Sequence, residues 1–417
     1  TKMFDDKLSF EAYNFGHLMT AACVHYRATG KKSLLEVARK ATDFLINFYN
    51  LASPEQARNA ICPSHYMGII EMYRTTKDER YLALAKKLID VRGTVEGTDD
   101  NSDRAPFREM NKVVGHAVRA NYLFAGVADV YAETGDQSLM NTLNKMWDNV
   151  TNRKMYITGG CGALYDGVSV DGTSYKPDTV QKIHQAYGRD YQLPNFSAHN
   201  ETCANIGNVL WNWRMLQLTG EARYADVLEL ALYNSVLSGV DLGGSKFFYT
   251  NPLAATAKYP YHLRWEGGRQ EYIRLSNCCP PNTVRTVAEV SNYMYSISEK
   301  GIYFNLYGGN TLKTSLHDGA KIELEQTTGY PWNGNVVVTI KEMTGNAPFL
   351  YFRLPGWCKQ ASIKINGKVA VENLVPGAQY FELAGKWKKG DKIELDMDMP
   401  AVLMESNPLV EETNNRV

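Results

Sequence analysis

Four stretches of this chain repeat one shape, and that repeat constrains the fold more than anything else in it. They are "GHLMTAACVHYRATGKKSLLEVARKATDFL" from Gly16, "SHYMGIIEMYRTTKDERYLALAKKLID" from Ser64, "GHAVRANYLFAGVADVYAETGDQSLMNTLNKMW" from Gly115 and "ETCANIGNVLWNWRMLQLTGEARYADVLELALYNSV" from Glu201. Each predicts an apolar helix, a polar turn at Thr29, Thr76, Thr134 or Thr219, and an amphipathic second helix. In three of the four turns Gly follows the Thr, which suits a left-handed residue ending a helix. Leu34, Leu35, Val37, Ala38, Ala41 and Leu45 mark one covered face on a second helix, so second helices lie on a surface. The first helices are apolar nearly all round and are expected to be buried. Irregular pairs of an inner and an outer helix describe a helical toroid.

His17, His65, His116 and Glu201 all fall at the start of an inner helix, and helices stacked side by side bring their starts to one mouth of a barrel. A single histidine there is ordinarily a cap or a core residue. Three of them with a carboxylate make the mouth the place to look for chemistry.

The pattern changes near residue 298. "GIYFNLYGGNTLKTSL", "AKIELEQTTGY", "NVVVTIKEM", "PFLYFRLPGW", "ASIKINGKVA", "AQYFELAGKW" and "DKIELDMDM" alternate with period two, which predicts antiparallel strands in a β-sandwich. "INGK" at 365–368 is a hairpin-turn signal. The expected organisation is a helical barrel over 1–298 and a β-sandwich over 299–417. The last residues, "EETNNRV", contain no obvious closing strand, so the sandwich is expected to be incomplete.

Lys plus Arg and Asp plus Glu number 45 each, giving zero formal net charge and no basic block. Nucleic acid and anionic membrane surfaces are therefore not expected partners. No apolar run approaches a membrane span. The chain opens at "TKMFDDKLSF" without an initiator Met, which leaves room for a removed leader. No signal peptide is visible, and the expected location is the periplasm or cytoplasm of a bacterium.

Seven cysteines in a chain this long are not a disulfide scaffold. The exception is "SNCCPPNT", where Cys278 and Cys279 are adjacent and two prolines follow, on what reads as a loop before the helix "NTVRTVAEVSNYMYSI". Neighbouring cysteines rarely bridge to each other, because the ring strains the peptide between them. Three readings remain: unrelated core thiols, disulfides to distant partners, or two thiolates on one metal. Glu201 and Cys203 open an inner helix, and with the cysteine pair they make a sensible tetrahedral zinc set. The two pairs lie about 75 residues apart, which is not a zinc-finger spacing. Buried, inert cysteines are the competing reading.

"ETCANIGNVLWNWRML", "LPN" at 193–195, "FFYTNPL" at 247–253, "CCPPN" and "NLYGG" resemble the β-L-arabinofuranosidase group of glycoside hydrolases, family 127 and its relatives. The similarity runs through nearly the whole chain, and "ETCA" combined with "CCPPN" is specific to it. The resemblance implies an (α/α)6 barrel, here incomplete at its N-terminus, followed by β-sandwich domains. It implies that Cys278 is a nucleophile at the anomeric carbon, and that Glu201, Cys203, Cys278 and Cys279 hold Zn2+. It assigns His17, His65, His116 and Tyr249 to the sugar pocket. The implied partner is an oligosaccharide or polysaccharide-derived glycoside carrying β-L-arabinofuranose or a related plant sugar. The oligomeric state stays open, a homodimer included.

The chain departs from the pattern at Gln185, sixteen residues before Glu201, where the family carries its general acid/base Glu. An amide can donate a hydrogen bond but cannot protonate a leaving oxygen or deprotonate water. Four explanations compete: a substitution introduced to trap a complex, another acid (His184 or Asp190), a sugar whose own carboxylate assists, or a catalytically dead sugar-binding protein. His199 replaces an expected aromatic residue; a surface histidine is the plain reading, an altered subsite or a relocated acid the sharper one. Arg274 suits either an acidic sugar or a surface carboxylate. A sugar epimerase is a weaker third class, since those toroids do not need three thiols.

Overall fold

The computed structural model describes residues 10–58, 62–173, 180–254, 278–374 and 377–414. Arg274 lies outside them. The helices are α1 (Glu11–Thr29), α2 (Ser33–Leu51), the single turn α3 (Pro54–Ala57), α4 (Ser64–Thr76), α5 (Glu79–Asp90), α6 (Ala117–Thr134), α7 (Gln137–Arg153), α8 (Thr202–Thr219), α9 (Ala222–Ala231) and α10 (Cys279–Tyr293). The four expected hairpins are α1–α2, α4–α5, α6–α7 and α8–α9.

The four turns are built alike. Thr29, Thr76, Thr134 and Thr219 each donate a hydroxyl hydrogen bond to the carbonyl four residues back, at 2.7–2.9 Å. Each hydroxyl also accepts the backbone N–H two residues on, at 3.1–3.4 Å. The following residue is left-handed in every case: Gly30 (φ 70°), Lys77 (φ 60°), Gly135 (φ 67°) and Gly220 (φ 68°). One side chain thus satisfies an orphan carbonyl and starts the next helix.

Packing divides the chain into two units, Thr1–Arg214 with Ala231–Thr283 and Glu405–Val417, and Met215–Leu230 with Val284–Met404. Chain order puts a boundary near 298, whereas packing gathers 215–230 with the strands.

In the first unit the inner helices meet through small residues. A Cβ on Gly16 of α1 would lie 2.5 Å from the His65 backbone nitrogen, and one on Gly68 of α4 would lie 2.6 Å from the Gly16 carbonyl oxygen. Gly126 of α6 meets Tyr66, and Gly207 of α8 meets Asn121, whose Nδ2 donates to the Ala204 carbonyl at 2.9 Å. α6 is buried over almost its whole length, as expected of an inner helix. α1 is not: only Ala12, Gly16, Met19, Ala22 and Cys23 are buried, a stripe matched to α4. α1 also begins six residues before His17, so that histidine sits in its second turn and not at its start.

A three-stranded antiparallel sheet, absent from the sequence reading, joins this unit. It contains β1 (Gly115–His116), β2 (Leu164–Thr173) and β3 (Val180–Tyr187), in the order β1-β3-β2. The helical repeat signal ends near Trp147, and the strand pattern there is interrupted by Gly and charged residues, so period-two reading finds little.

The second unit holds β4 (Tyr295–Ile297), β5 (Gly301–Phe304), β6 (Asn310–Ser315), β7 (Lys321–Thr328), β8 (Asn335–Thr344), β9 (Phe349–Leu354), β10 (Ala361–Ile365), β11 (Lys368–Leu374), β12 (Gln379–Leu383) and β13 (Lys392–Met397). They form sheets ordered β11-β10-β13-β8-β7-β6 and β12-β9-β5-β4, sharing one core with Phe304, Leu324, Val338, Phe352, Ile363 and Leu395. The β-sandwich is as expected, and Asn366 (φ 52°) and Gly367 (φ 76°) make the "INGK" hairpin. The strands are not all antiparallel, however, because β5 pairs with β9 in parallel. α9 belongs with this unit because buried Arg353 of β9 pairs with its Asp226 and Glu229. No helix among the described residues is long and apolar enough to cross a membrane.

The Gly16 contact gives a direct test of the inner packing. Gly16→Ala should lower unfolding free energy by about 1–3 kcal/mol, as expected for overpacking a tight contact. Denaturant melts measure this, and an unchanged midpoint would show that α1 and α4 separate at no cost.

Candidate active site and metal centre

Two helix starts converge in the first unit. Glu201 immediately precedes α8, Cys203 is its second residue, and Cys279 is the first residue of α10. The cysteine pair is therefore not on a free loop. Pro280 and Pro281 occupy the first turn of α10, where a missing N–H costs nothing and the fixed φ favours the helix. The positive end of each helix dipole favours negative charge there.

The ligand atoms of Glu201, Cys203, Cys278 and Cys279 all lie within 4.8 Å of one another. The Cys203 and Cys279 sulfurs are 3.2 Å apart, and those of Cys278 and Cys279 are 3.8 Å apart. Oε1 of Glu201 stands 3.8 Å from each of the latter two sulfurs. Two sulfurs bound 2.3 Å from a tetrahedral zinc stand roughly 3.7 Å apart, so the set fits that ion with small adjustments. Burial pushes the Cys203 and Cys279 thiols and the Glu201 carboxyl well above their ordinary values. Buried donors of this kind are held as anions only by a compensating cation. Cys278 alone of the three is partly exposed.

Hydrogen bonds lace the Glu201 segment to residues 248–251. The Thr202 N–H donates to the Tyr249 carbonyl (3.1 Å), and its hydroxyl donates to that of Phe248 (2.8 Å). Asn251 Nδ2 donates to the Asn200 carbonyl (2.9 Å), and Asn200 Nδ2 donates to the Asn251 carbonyl (3.1 Å). This strap brings the Tyr249 side chain into hydrogen-bonding contact with Glu201.

His199 is buried, contrary to the surface expectation, with Nε2 3.5 Å from Glu201 Oε2. Burial lowers it to about 3, so it is neutral and no acid at neutral pH. Tyr165 and Tyr249 flank its ring.

The other expected residues have varied surroundings. His17 packs edge-on to Tyr13, with ring centroids 4.4 Å apart, and lies near Tyr122. His65 is fully buried between Tyr49 and Tyr66, and burial lowers it to about 3. It contacts the backbone of Cys62, whose thiol feels the charges of Arg119, Cys278 and Glu201. His116 Nε2 lies 2.9 Å from Gln185 Oε1. Gln185 is 7% exposed and left-handed (φ 49°), an unfavourable backbone for a non-glycine residue. Asp190 pairs with Arg153 at 2.9 Å and accepts from Asn149 Nδ2 at 3.1 Å.

Sequence reasoning missed Asn282, the last residue of "CCPPN". Its Nδ2 donates to Cys203 Sγ at 3.3 Å and to the Tyr13 hydroxyl at 3.2 Å, while its Oδ1 accepts from the Tyr122 hydroxyl at 3.4 Å. Its place in the motif was the available signal. Asp100, which receives hydrogen bonds from His184 and Arg119, had none.

The family model for the GH127 catalytic domain of β-L-arabinofuranosidases matches residues 1–292, and that for the GH127 middle domain matches 301–399. The non-reducing end β-L-arabinofuranosidase of Bifidobacterium longum is 30% identical, over 96% of this chain and 62% of its own length. A solved glycoside hydrolase is 59% identical with a TM-score of 0.92, covering 97% of this chain and 66% of that one. A GH127 β-L-arabinofuranosidase from Geobacillus stearothermophilus T6 is 32% identical with a TM-score of 0.88, covering 99% and 66%. The chain thus spans under two thirds of the length of these relatives. With both domain models matched in order across a helical unit and a β-sandwich, this chain belongs to glycoside hydrolase family 127.

Proposed function

We propose that this protein is a retaining glycoside hydrolase that releases terminal β-L-arabinofuranose or a related plant sugar, with Cys278 as nucleophile. The observation that carries the reading is the Glu201, Cys203, Cys278 and Cys279 cluster, in which Cys278 alone is partly exposed. Zinc is the ion that suits this donor set, and when bound it would keep the thiols as thiolates at neutral pH. Glu201, Cys203 and Cys279 would hold it with Cys278. In the reaction, the Cys278 sulfur forms a bond to the anomeric carbon as the glycosidic oxygen leaves. Water then breaks that bond from the same face, which gives net retention. Tyr249, already bonded to Glu201, and His17, His65 and His116 would meet the pentose hydroxyls. Burial keeps His65 and His116 neutral, which suits hydroxyl recognition.

Gln185 favours a second reading, a hydrolase impaired at proton transfer that binds its sugar without turnover. Its amide, bonded to His116, has no titrating proton.

Purified protein should contain about one zinc per chain, and Cys203→Ser should lose it, by elemental analysis. Metal-free protein with unchanged stability would end the zinc assignment. An activated aryl β-L-arabinofuranoside needs little help to leave, so it should glycosylate Cys278, and Cys278→Ser should abolish that. Intact-protein mass spectrometry reads the adduct. Under the impaired reading alone the adduct persists, and Gln185→Glu raises hydrolysis of an unactivated glycoside by orders of magnitude.

A further inference from the structure

The residue beside Gln185 can do what its amide cannot. In a regular strand, consecutive side chains point to opposite faces. On β3 the Gln185 backbone is left-handed (φ 49°), and Gln185 and His184 both meet one imidazole: His116 Nε2 is 2.9 Å from Gln185 Oε1, and the His116 ring stands perpendicular to the His184 ring at 5.2 Å. His184 is also within electrostatic reach of His199, which touches Glu201.

A carboxylate fixes the His184 ring. Its Nδ1 is 3.0 Å from Asp100 Oδ1, and its backbone N–H donates to the same oxygen at 2.9 Å. The other Asp100 oxygen accepts from Arg119 Nη1 at 2.9 Å. Burial pushes Asp100 up, but the His184 hydrogen bond and the Arg119 guanidinium outweigh it and hold the acid at about 2. An ionised carboxylate only accepts, so Nδ1 carries the hydrogen and Nε2 is the edge left to exchange a proton. The His184 side chain is 40% exposed. No other residue suggested for the task is so arranged. Burial keeps His65 and His199 at about 3 and lowers His116 well below its ordinary value. Asp190 is engaged by Arg153, Asn149 and Lys154.

We propose that His184, oriented by Asp100, is the general acid and base of this chain in place of the carboxyl missing at position 185. The proposal rests on the hydrolase reading above. In the first step the Nε2 proton passes to the glycosidic oxygen as its bond to the anomeric carbon breaks and the Cys278 sulfur bonds to that carbon. In the second, neutral Nε2 takes a proton from the attacking water, a C–O bond forms, and the sulfur leaves as thiolate. Asp100, Arg119 and His116 face the imidazole from their own elements, with exposed Asp166 opposite it on β2.

The test compares the metal-loaded unmodified protein with His184→Gln on an unactivated arabinofuranosyl disaccharide and on an aryl glycoside, across pH. His184→Gln should lower kcat/KM on the disaccharide by about 10²–10⁴-fold and remove the pH limb set by this imidazole. On the aryl glycoside its first step should survive, the sugar should accumulate on Cys278, and azide, which needs no base, should release it as the glycosyl azide. Asp100→Asn, which keeps the imidazole, should move that limb. Unaltered rates and pH profile in His184→Gln would overturn the proposal. So would an adduct that persists on the unmodified protein, although Cys278 as nucleophile would stand. Neither turnover nor adduct in the unmodified protein would overturn both.

Discussion

Three thiols and a carboxylate held within 4.8 Å of one another, largely away from water, are the constraint on which the rest of the site depends. Unionised, they are weak donors with little reason to be gathered. Ionised, they repel one another and cannot be buried without a cation. The fold answers with two helix N-termini aimed at one point, which stabilise negative charge before any ion arrives. Asn282, steadied by the Tyr13 and Tyr122 hydroxyls, adds an N–H to the Cys203 sulfur. Such outer contacts commonly set ligand orientation as strictly as the ligands themselves.

Helix convergence needs close inner packing, and glycines at 16, 68, 126 and 207 supply it. The four threonine turns close the first helices alike, each with a hydroxyl on the last-turn carbonyl and a left-handed residue after it. The 248–251 strap then fixes the short segment between sheet and α8, and with it the direction of Glu201 and the position of Tyr249.

β3 brings a second group of polar side chains together, Gln185 and His184 against His116. A left-handed Gln185 on a strand stores strain, and strained residues persist where the surroundings over-determine them. Here neighbouring side chains that a regular strand would separate share His116. The Gln185 amide and the Asp100–His184 pair beside it are therefore features of one local structure.

The repeat, its turns, the change to strands near 298 and the grouping of "ETC" with "CCPPN" were all legible in the sequence, because each rests on local periodicity or on side-chain chemistry that survives without coordinates. The set of groups that could hold a metal ion was legible as composition: three thiols and a carboxylate near two helix starts. What the chain's linear order did not show was everything set by contact across the fold. The prolines after Cys279 read as a loop, yet they begin a helix, since a helix's first turn needs no N–H. His199 read as either a surface residue or part of an altered subsite, and burial beside Glu201 makes it neutral. α1 read as buried all round, yet only its stripe against α4 is covered. Asp100 gave no signal, because its contact with His184 joins residues 84 apart in the chain. Periodicity fixes which face a side chain takes relative to its neighbours in sequence; only tertiary packing decides what that face meets, and so which groups keep a charge or a proton.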